Sequence, residues 1–413
     1  MLKDDFAVVE IILGEQDDSQ EIFNSLNANA EPLSQSDLLR SFVFMRAEKN
    51  NTEYRDRLYE QYWSRFEDRF WDIIERRGNL LLSRLDQVTR IFLSSNIGSS
   101  VEAKKVHMIY KNWIQTKNPF QNDVEAELKV FSAYGDRFRF LITPPSDARF
   151  SEFAQRLQTW DVSTTYPLVI YLFEECKLDE DKLTKCFNIL ESFVVRRLIC
   201  RKDNKEYNKY FVEIVDRLRR DEASPDALQK ILAEGRGETR VWPDDNKFRE
   251  AFCEFPIYQS LRSNQITTIL KIIEDQLITS KTEKVIVQSL SVEHIMPQAW
   301  NDHYQLDGEF VSREMANDWW LSDDEEEEAK YKKVQLRNQR IHCIGNLTII
   351  TQPLNSAMKN APFADKKEFL RNSILLLNRY FDNIENWDEK GIDQRSLWLF
   401  EKARRIWVGP LIT

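Results

Sequence analysis

The residues of this 413-residue chain whose types and spacing could carry out chemistry lie in its last third. Glu293 directly precedes His294, one of only four histidines, and Asn346, Asn355 and Lys359 follow at intervals of 52, 9 and 4 residues. A neutral imidazole can accept a proton at pH 7. Carboxylate and amide oxygens are ligands that Mg²⁺ takes in proteins. These residues therefore include a candidate proton acceptor and candidate cation ligands.

The sequence around them resembles the HNH, or ββα-metal, nucleases. That family carries an acid followed by His, then Asn-Leu, and then a helix with Asn or His and a Lys four residues later. This chain has acid-His at 293–294, Asn-Leu at 346–347, and Asn355 and Lys359 on a predicted helix. It departs from the commonest pattern in having Glu in place of Asp and Asn in place of the last His.

The resemblance implies a role for each residue. His294 would be the general base, and Glu293 and Asn355 would hold Mg²⁺ or Mn²⁺. Asn346 would fix the loop that holds His294 and, with His294 and Asn355, would make up the catalytic set. Lys359 would reach a phosphate. Phosphodiester hydrolysis needs a base for water and a cation that binds the phosphate oxygens, which explains why these residue types recur together.

The flanking sequences extend the resemblance to the GmrSD-type restriction proteins, SspE-like relatives included. EHIMPQ at 293–298, IGNLTII at 344–350 and LNSAMKN at 354–360 are similar to their C-terminal nuclease domain. Residues 16–46 and 193–197 are similar to the later part of the N-terminal domain and to the helical region after it. The family's Asp-Gly-Gln-Gln-Arg motif, linked to nucleotide hydrolysis, is missing from this sequence, as is a P-loop.

The resemblance implies a Mg²⁺-dependent DNA endonuclease of a modification-dependent or phage-defence restriction system. Its partner would be double-stranded DNA, and the modification sensed, if any, is left open. We expect the chain to be a fragment or a shortened protein whose nucleotide-hydrolysing half or subunit is separate. The alternatives are a non-catalytic DNA-binding or regulatory subunit and a helical protein-interaction scaffold.

The elements that must position these residues are predicted to be mostly helices. Ten Gly and twelve Pro are few for this length and favour long helices over a turn-rich sandwich or barrel. We expect a mainly α, multi-helical protein with a small C-terminal ββα-metal module. Three domains are predicted. Residues 1–95 form the helical remainder of a GmrSD-like N-terminal domain, residues 96–240 a helical middle region, and residues 241–413 an HNH-type nuclease domain with helical flanks.

Local patterns predict individual elements. Ser34 followed by Asp37 indicates a helix start, and 323–328 is an acidic run typical of a solvated helix start or loop. Arg196 and Arg197 beside an apolar face indicate buried ion-pair anchors, with phosphate contact as the alternative. Helices are predicted at 22–26, 55–77 and 257–277, and strands at 6–13, 285–287 and 340–344.

Charge and cysteine usage bound the environment. The five cysteines are scattered, without a Cys-x-x-Cys pair, which fits a reducing cytoplasm. No apolar run approaches a membrane span. The net charge is -10, yet residues 329–413 carry 15 Lys/Arg against 8 Asp/Glu. We expect Lys359, Lys366 and Lys367 to bind DNA phosphates, with Arg371, from one continuous helix. Participation of His342 or Asn360 is left open.

Overall fold

In a computed structural model of the chain, the residues described are 33–49, 51–77, 79–279, 289–317 and 324–410. They are mainly helical, as predicted, and their strands form two small two-stranded sheets. They divide into two compact units, one ending at Arg139 and the other beginning at Phe140. The predicted boundaries at 95 and 240 stay predictions. The elements predicted at 6–13, 22–26 and 285–287 lie outside the described residues.

The first unit contains helices and one hairpin. Its elements are α1 Gln35–Glu48, α2 Thr52–Leu58, α3 Arg69–Asp72, β1 Ile74–Arg77, β2 Leu80–Ser83, α4 Arg84–Ile97, α5 Val106–Lys117 and all but the last three residues of α6 Val124–Ile142. Ser34 caps α1 by accepting a hydrogen bond from the Asp37 amide, as predicted. The single helix predicted over 55–77 is wrong. Asp68 has an extended backbone and caps α3, so the chain bends there and continues into β1.

The second unit contains the candidate site residues. Its elements are α7 Ser151–Trp160, α8 Tyr166–Glu174, α9 Glu180–Ile199, α10 Tyr207–Asp221, α11 Pro225–Ala233, α12 Asp245–Glu254, α13 Ile257–Ser260, α14 Ser263–Leu277, β3 Leu290–His294, α15 Arg313–Ala316, α16 Glu325–Arg340, β4 Leu347–Thr351, α17 Gln352–Met358, α18 Phe363–Arg371 and α19 Glu389–Ile406. Asp324 caps α16, so the acidic run does start a helix. Within the part of the chain described, none of the helices combines the length and apolar character needed to cross a bilayer.

Arg196 and Arg197 of α9 are completely buried. Arg196 forms an ion pair with Asp245 at 2.6 Å and also donates to two main-chain carbonyl groups. Arg197 donates to the Tyr207 hydroxyl and to four main-chain carbonyl oxygens. The anchoring role predicted for the pair is confirmed, although carbonyl oxygens take the place of a carboxylate around Arg197.

The C-terminal module is a β-hairpin-like pair of strands with a helix directly after it. β3 and β4 are antiparallel, with Glu293 opposite Thr348 and His294 opposite Leu347. α17 starts at the residue after β4 and packs against both strands. β4 is almost entirely buried because α14 also packs on this sheet. The order strand, strand, helix is the ββα arrangement that the resemblance implies.

Two predicted elements in this unit need correction. The strand predicted over 340–344 is wrong, because α16 ends at Arg340 and a turn and a 3₁₀ segment follow before β4. The Asn346 side chain, which binds the carbonyl oxygen of Ile341, stabilises this bent path. The helix predicted over 257–277 is two helices. Arg262 adopts an extended backbone between them, and its amide donates to the Gln265 side chain, which caps α14.

Candidate active site

Glu293 and Lys366 form a buried ion pair at the end of β3. Glu293 is 8% exposed and Lys366 is 1% exposed. Lys366 Nζ contacts Glu293 Oε1 and donates to the His294 carbonyl oxygen at 2.6 Å. Burial raises the pKa of the Glu293 carboxyl and lowers the pKa of Lys366, and the attraction between the two groups opposes both shifts. Lys366 thereby ties α18 to the Glu293-His294 dipeptide.

This position differs from the one expected for Lys366. The sequence pattern predicts that its ammonium group lies on an outer helix face, in contact with DNA phosphates. In the structure the group lies inside the module and its charge is compensated by Glu293. The inward direction follows from its place on α18, where Phe363 and Leu370 are also buried and lie three or four residues away. Lys366 is thus a component of the site that the sequence pattern did not identify as such.

The other basic residues lie outside this core. The single continuous helix expected to carry them is wrong, because α17 ends at Met358 and Lys359 adopts φ 41° in the turn that follows. Pro362 then precedes α18, where its ring prevents continuation of the first helix. Lys359 is exposed, and half-buried Lys367 donates to a main-chain carbonyl. Phosphate binding by these two residues stays a prediction.

His294 is a buried imidazole at the last position of β3. His294 is 6% exposed, and its Nε2 has no hydrogen-bond partner among the described residues. Burial lowers the pKa of His294 to about 3, with smaller contributions from the nearby charges of His342 and Lys366. The imidazole is therefore neutral at physiological pH, which is the state that a proton acceptor requires.

Two other rings contact His294. Tyr258 of α13 meets it edge-on with 4.3 Å between ring centroids, and His342 meets it edge-on at 5.5 Å. Tyr258 and His342 are stacked nearly parallel, and both are partly exposed. His342 lies in the turn after α16 instead of on a strand. Tyr258 was missed because a tyrosine 36 residues before His294, on a four-residue helix, has no motif to mark it.

Asn346 is completely buried behind the site. Its Oδ1 accepts hydrogen bonds from the Met296 amide at 2.8 Å and from Trp387 Nε1 at 2.9 Å. Its Nδ2 donates to the carbonyl oxygens of Met296 and Ile341. All four bonds that an amide side chain can make are present. The arrangement holds the main chain two residues after His294 and leaves the Asn346 side chain no free group for substrate.

Asn355 lies on α17 beside β3. Its Nδ2 donates to Ser291 Oγ at 2.9 Å, which leaves Oδ1 without a hydrogen bond to the described part of the chain. Ser291 and Glu293 are two residues apart on β3 and so share a face of the strand. Asn355 also borders an open pocket of about 520 Å³, whose other lining residues are Ser289, Leu290, Ser291, Gln352 and Ser356. Convergence of Asn355 and Glu293 on one cation stays a prediction, and exposed Asn360 is still an open alternative.

The donor set suits a hard cation held by few protein groups. Among the residues described, no three or more His, Cys, Asp or Glu side chains form a group that could hold a metal. Mg²⁺ commonly binds through one or two protein oxygens, with water and substrate phosphate completing its octahedral shell. The Glu293 carboxylate and the Asn355 amide oxygen are ligands of that type, and binding of a cation by the two stays a prediction.

The part of the chain that contains this site matches a known protein family. Residues 242–402 match the family model described as GmrSD restriction endonucleases, C-terminal domain. The matched range includes both strands of the module, α17, α18 and the residues that surround His294. No curated protein matches the chain. The match supports a restriction-type nuclease role, with DNA as the substrate.

Proposed function

We propose that this chain, whose residues 242–402 match the C-terminal domain of the GmrSD restriction endonucleases, is a metal-dependent endonuclease that cuts double-stranded DNA. It acts in a modification-dependent or phage-defence restriction system. The observation that carries the proposal is the position of His294, which is buried, has a ring nitrogen without a hydrogen-bond partner among the described residues, and lies next to Glu293 within the matched domain. A base for water and a carboxylate for a cation are the two parts that phosphodiester hydrolysis needs.

Each residue has a task in this reaction. His294 accepts a proton from the water whose oxygen forms the new bond to phosphorus, and the opposite P–O bond breaks. Glu293 and the Asn355 amide oxygen would hold Mg²⁺ or Mn²⁺, and the bound ion would supply positive charge to the scissile phosphate and the leaving oxygen. Asn346 keeps His294 in place through the Met296 main chain.

A second candidate is a non-catalytic DNA-binding or regulatory subunit. It is favoured by one observation, the contact of the Lys366 ammonium group with the carboxylate that the first proposal assigns to a cation. If this ion pair persists both with and without bound DNA, the module binds DNA without cutting it. The two candidates differ in whether divalent ions change the covalent state of DNA.

The test is incubation of the full chain with supercoiled plasmid in Mg²⁺, Mn²⁺ or EDTA, using unmodified DNA and DNA with modified cytosine. The endonuclease predicts nicked or linear product with the divalent ions and none in EDTA. A salt-dependent gel shift without product, on every DNA and with either ion, overturns the endonuclease and supports the non-catalytic subunit. If the chain gives neither a cleavage product nor a gel shift, both candidates are overturned.

A further inference from the structure

Two of the chain's four histidines have a buried ring nitrogen that lacks a hydrogen-bond partner among the residues described. These atoms are His294 Nε2 and His342 Nδ1, and the two rings are neighbours, 5.5 Å apart and nearly perpendicular. A buried polar atom without a hydrogen-bond partner is energetically costly, so such atoms are uncommon and call for an explanation. Two unpartnered nitrogens on adjacent rings suggest one explanation for both.

The separation of the rings allows the two nitrogens to satisfy each other. When one imidazole donates directly to another, the ring centroids lie about 5 Å apart, given a normal N–H···N length. The observed 5.5 Å is close to that value, so the separation of the rings is compatible with a direct bond when the two nitrogens face each other. One bridging water is the other route, and it is nearly as favourable as a direct bond.

His342 is well placed to act as the fixed partner. Its carbonyl oxygen accepts a hydrogen bond from the Tyr258 amide at 3.1 Å, and its ring is stacked on Tyr258 at an angle of 11°. A neutral imidazole donates through one ring nitrogen and accepts through the other, so one of these rings can donate while the other accepts. The stacking leaves the His342 ring little freedom to turn away.

We propose that His342 is the positioning residue for His294. Its Nδ1 accepts a hydrogen bond from His294 Nε2–H, directly or through one water, and this fixes the tautomer in which His294 Nδ1 carries no proton. His294 Nδ1 then takes a proton of the attacking water, the water oxygen bonds to phosphorus, and the bond from phosphorus to the leaving oxygen breaks. The resulting imidazolium keeps its Nε2–H bond to His342. The role of His342 in catalysis rests on the proposed function, whereas the predicted tautomer of His294 does not depend on it.

The tautomer is measured without DNA or metal. With ¹⁵N-labelled histidine in the full chain, the four imidazoles give few enough signals to assign with single His variants. We expect a protonated Nε2 and an unprotonated Nδ1 on His294, and an unprotonated Nδ1 on His342. In His342→Ala, the His294 signals should move toward a mixture of tautomers. A His294 protonated at Nδ1, or one unchanged in His342→Ala, overturns the inference whether or not the protein cuts DNA.

Cleavage kinetics give the second readout. His342→Ala should lower kcat by about 10- to 100-fold with little change in KM or in duplex binding in EDTA. His342→Asn places an amide oxygen near the former Nδ1 and should recover part of kcat. The matched control is His303→Ala, which changes an exposed histidine of the same unit. Equal kcat for His342→Ala and wild type overturns the positioning role. If the wild-type protein cuts no DNA, the proposed function is overturned, and the tautomer measurement alone then tests the hydrogen bond between His294 and His342.

Discussion

Lys366 of α18 and Glu293 of β3 lie 73 positions apart in the chain and form an ion pair that is almost completely buried. The same ammonium group donates to the carbonyl oxygen of His294. One lysine therefore compensates the charge of the candidate cation ligand and fixes the main chain of the candidate base. Because each charge is buried, the removal of either partner leaves the other without compensation.

Replacement of Lys366 should therefore destabilise the protein strongly. Breaking a buried ion pair from one side costs about 3–5 kcal/mol, since the remaining charge has no partner. We expect a loss of this size in the free energy of unfolding of Lys366→Met, measured by urea denaturation. Lys367→Met, which removes a half-buried neighbour with a single hydrogen bond to a carbonyl oxygen, is the control. Equal losses for the two variants would argue against the buried pair.

Asn346 should contribute to stability through its four hydrogen bonds. Asn346→Ala leaves the Met296 amide, the Trp387 indole and two carbonyl oxygens without partners in a buried place. Each unpaired group costs roughly 1–3 kcal/mol, so a total loss of several kcal/mol is expected in urea denaturation. Asn360→Ala, at an exposed position, should change little. A loss below about 1 kcal/mol for Asn346→Ala would contradict the arrangement.

The low pKa of His294 predicts a pH-dependent stability. The unfolded chain protonates this imidazole near its ordinary pKa of 6.5, whereas the folded chain does so only at about 3. Between these values the unfolded state binds more protons, so the stability that His294 contributes is complete above pH 6.5 and is lost as the pH falls toward 3. The free energy of unfolding of wild type should fall more steeply than that of His294→Gln between pH 6.5 and 4, by up to about 1.4 kcal/mol per pH unit. Parallel curves would show that His294 is not buried in its neutral form.

DNA binding should depend on the exposed basic residues of the last segment. Each phosphate contact adds nearly one unit to the slope of log affinity against log salt concentration. Lys359→Gln combined with Arg371→Gln should flatten that slope by about two and weaken binding to all DNA sequences alike. Lys209→Gln, exposed and outside the matched domain, should leave the slope unchanged. An unchanged slope for the double variant would place the DNA elsewhere.

The sequence pattern was informative where function and local structure coincide. The Glu293-His294 and Asn346 motifs implied a ββα module at the right place in the chain, although its strands lie at 290–294 and 347–351 and not at the predicted 340–344. The mainly helical fold followed from the scarcity of Gly and Pro. The inward direction of Lys366 could not be predicted, because its partner is far away in the chain and a lysine is most often exposed. The strand predicted at 340–344 failed because β-branched residues there serve a turn that Asn346 stabilises, and local propensity does not register such tertiary bonds.

The central claim is that His294 takes the proton of the attacking water, and the rate of single-turnover DNA cleavage in Mg²⁺ tests it most directly. His294→Ala should cut about 10²- to 10⁴-fold more slowly than wild type while binding the duplex with similar affinity and keeping a folded, cooperative thermal transition. His303→Ala should match wild type. Cleavage by His294→Ala at the wild-type rate would contradict the account.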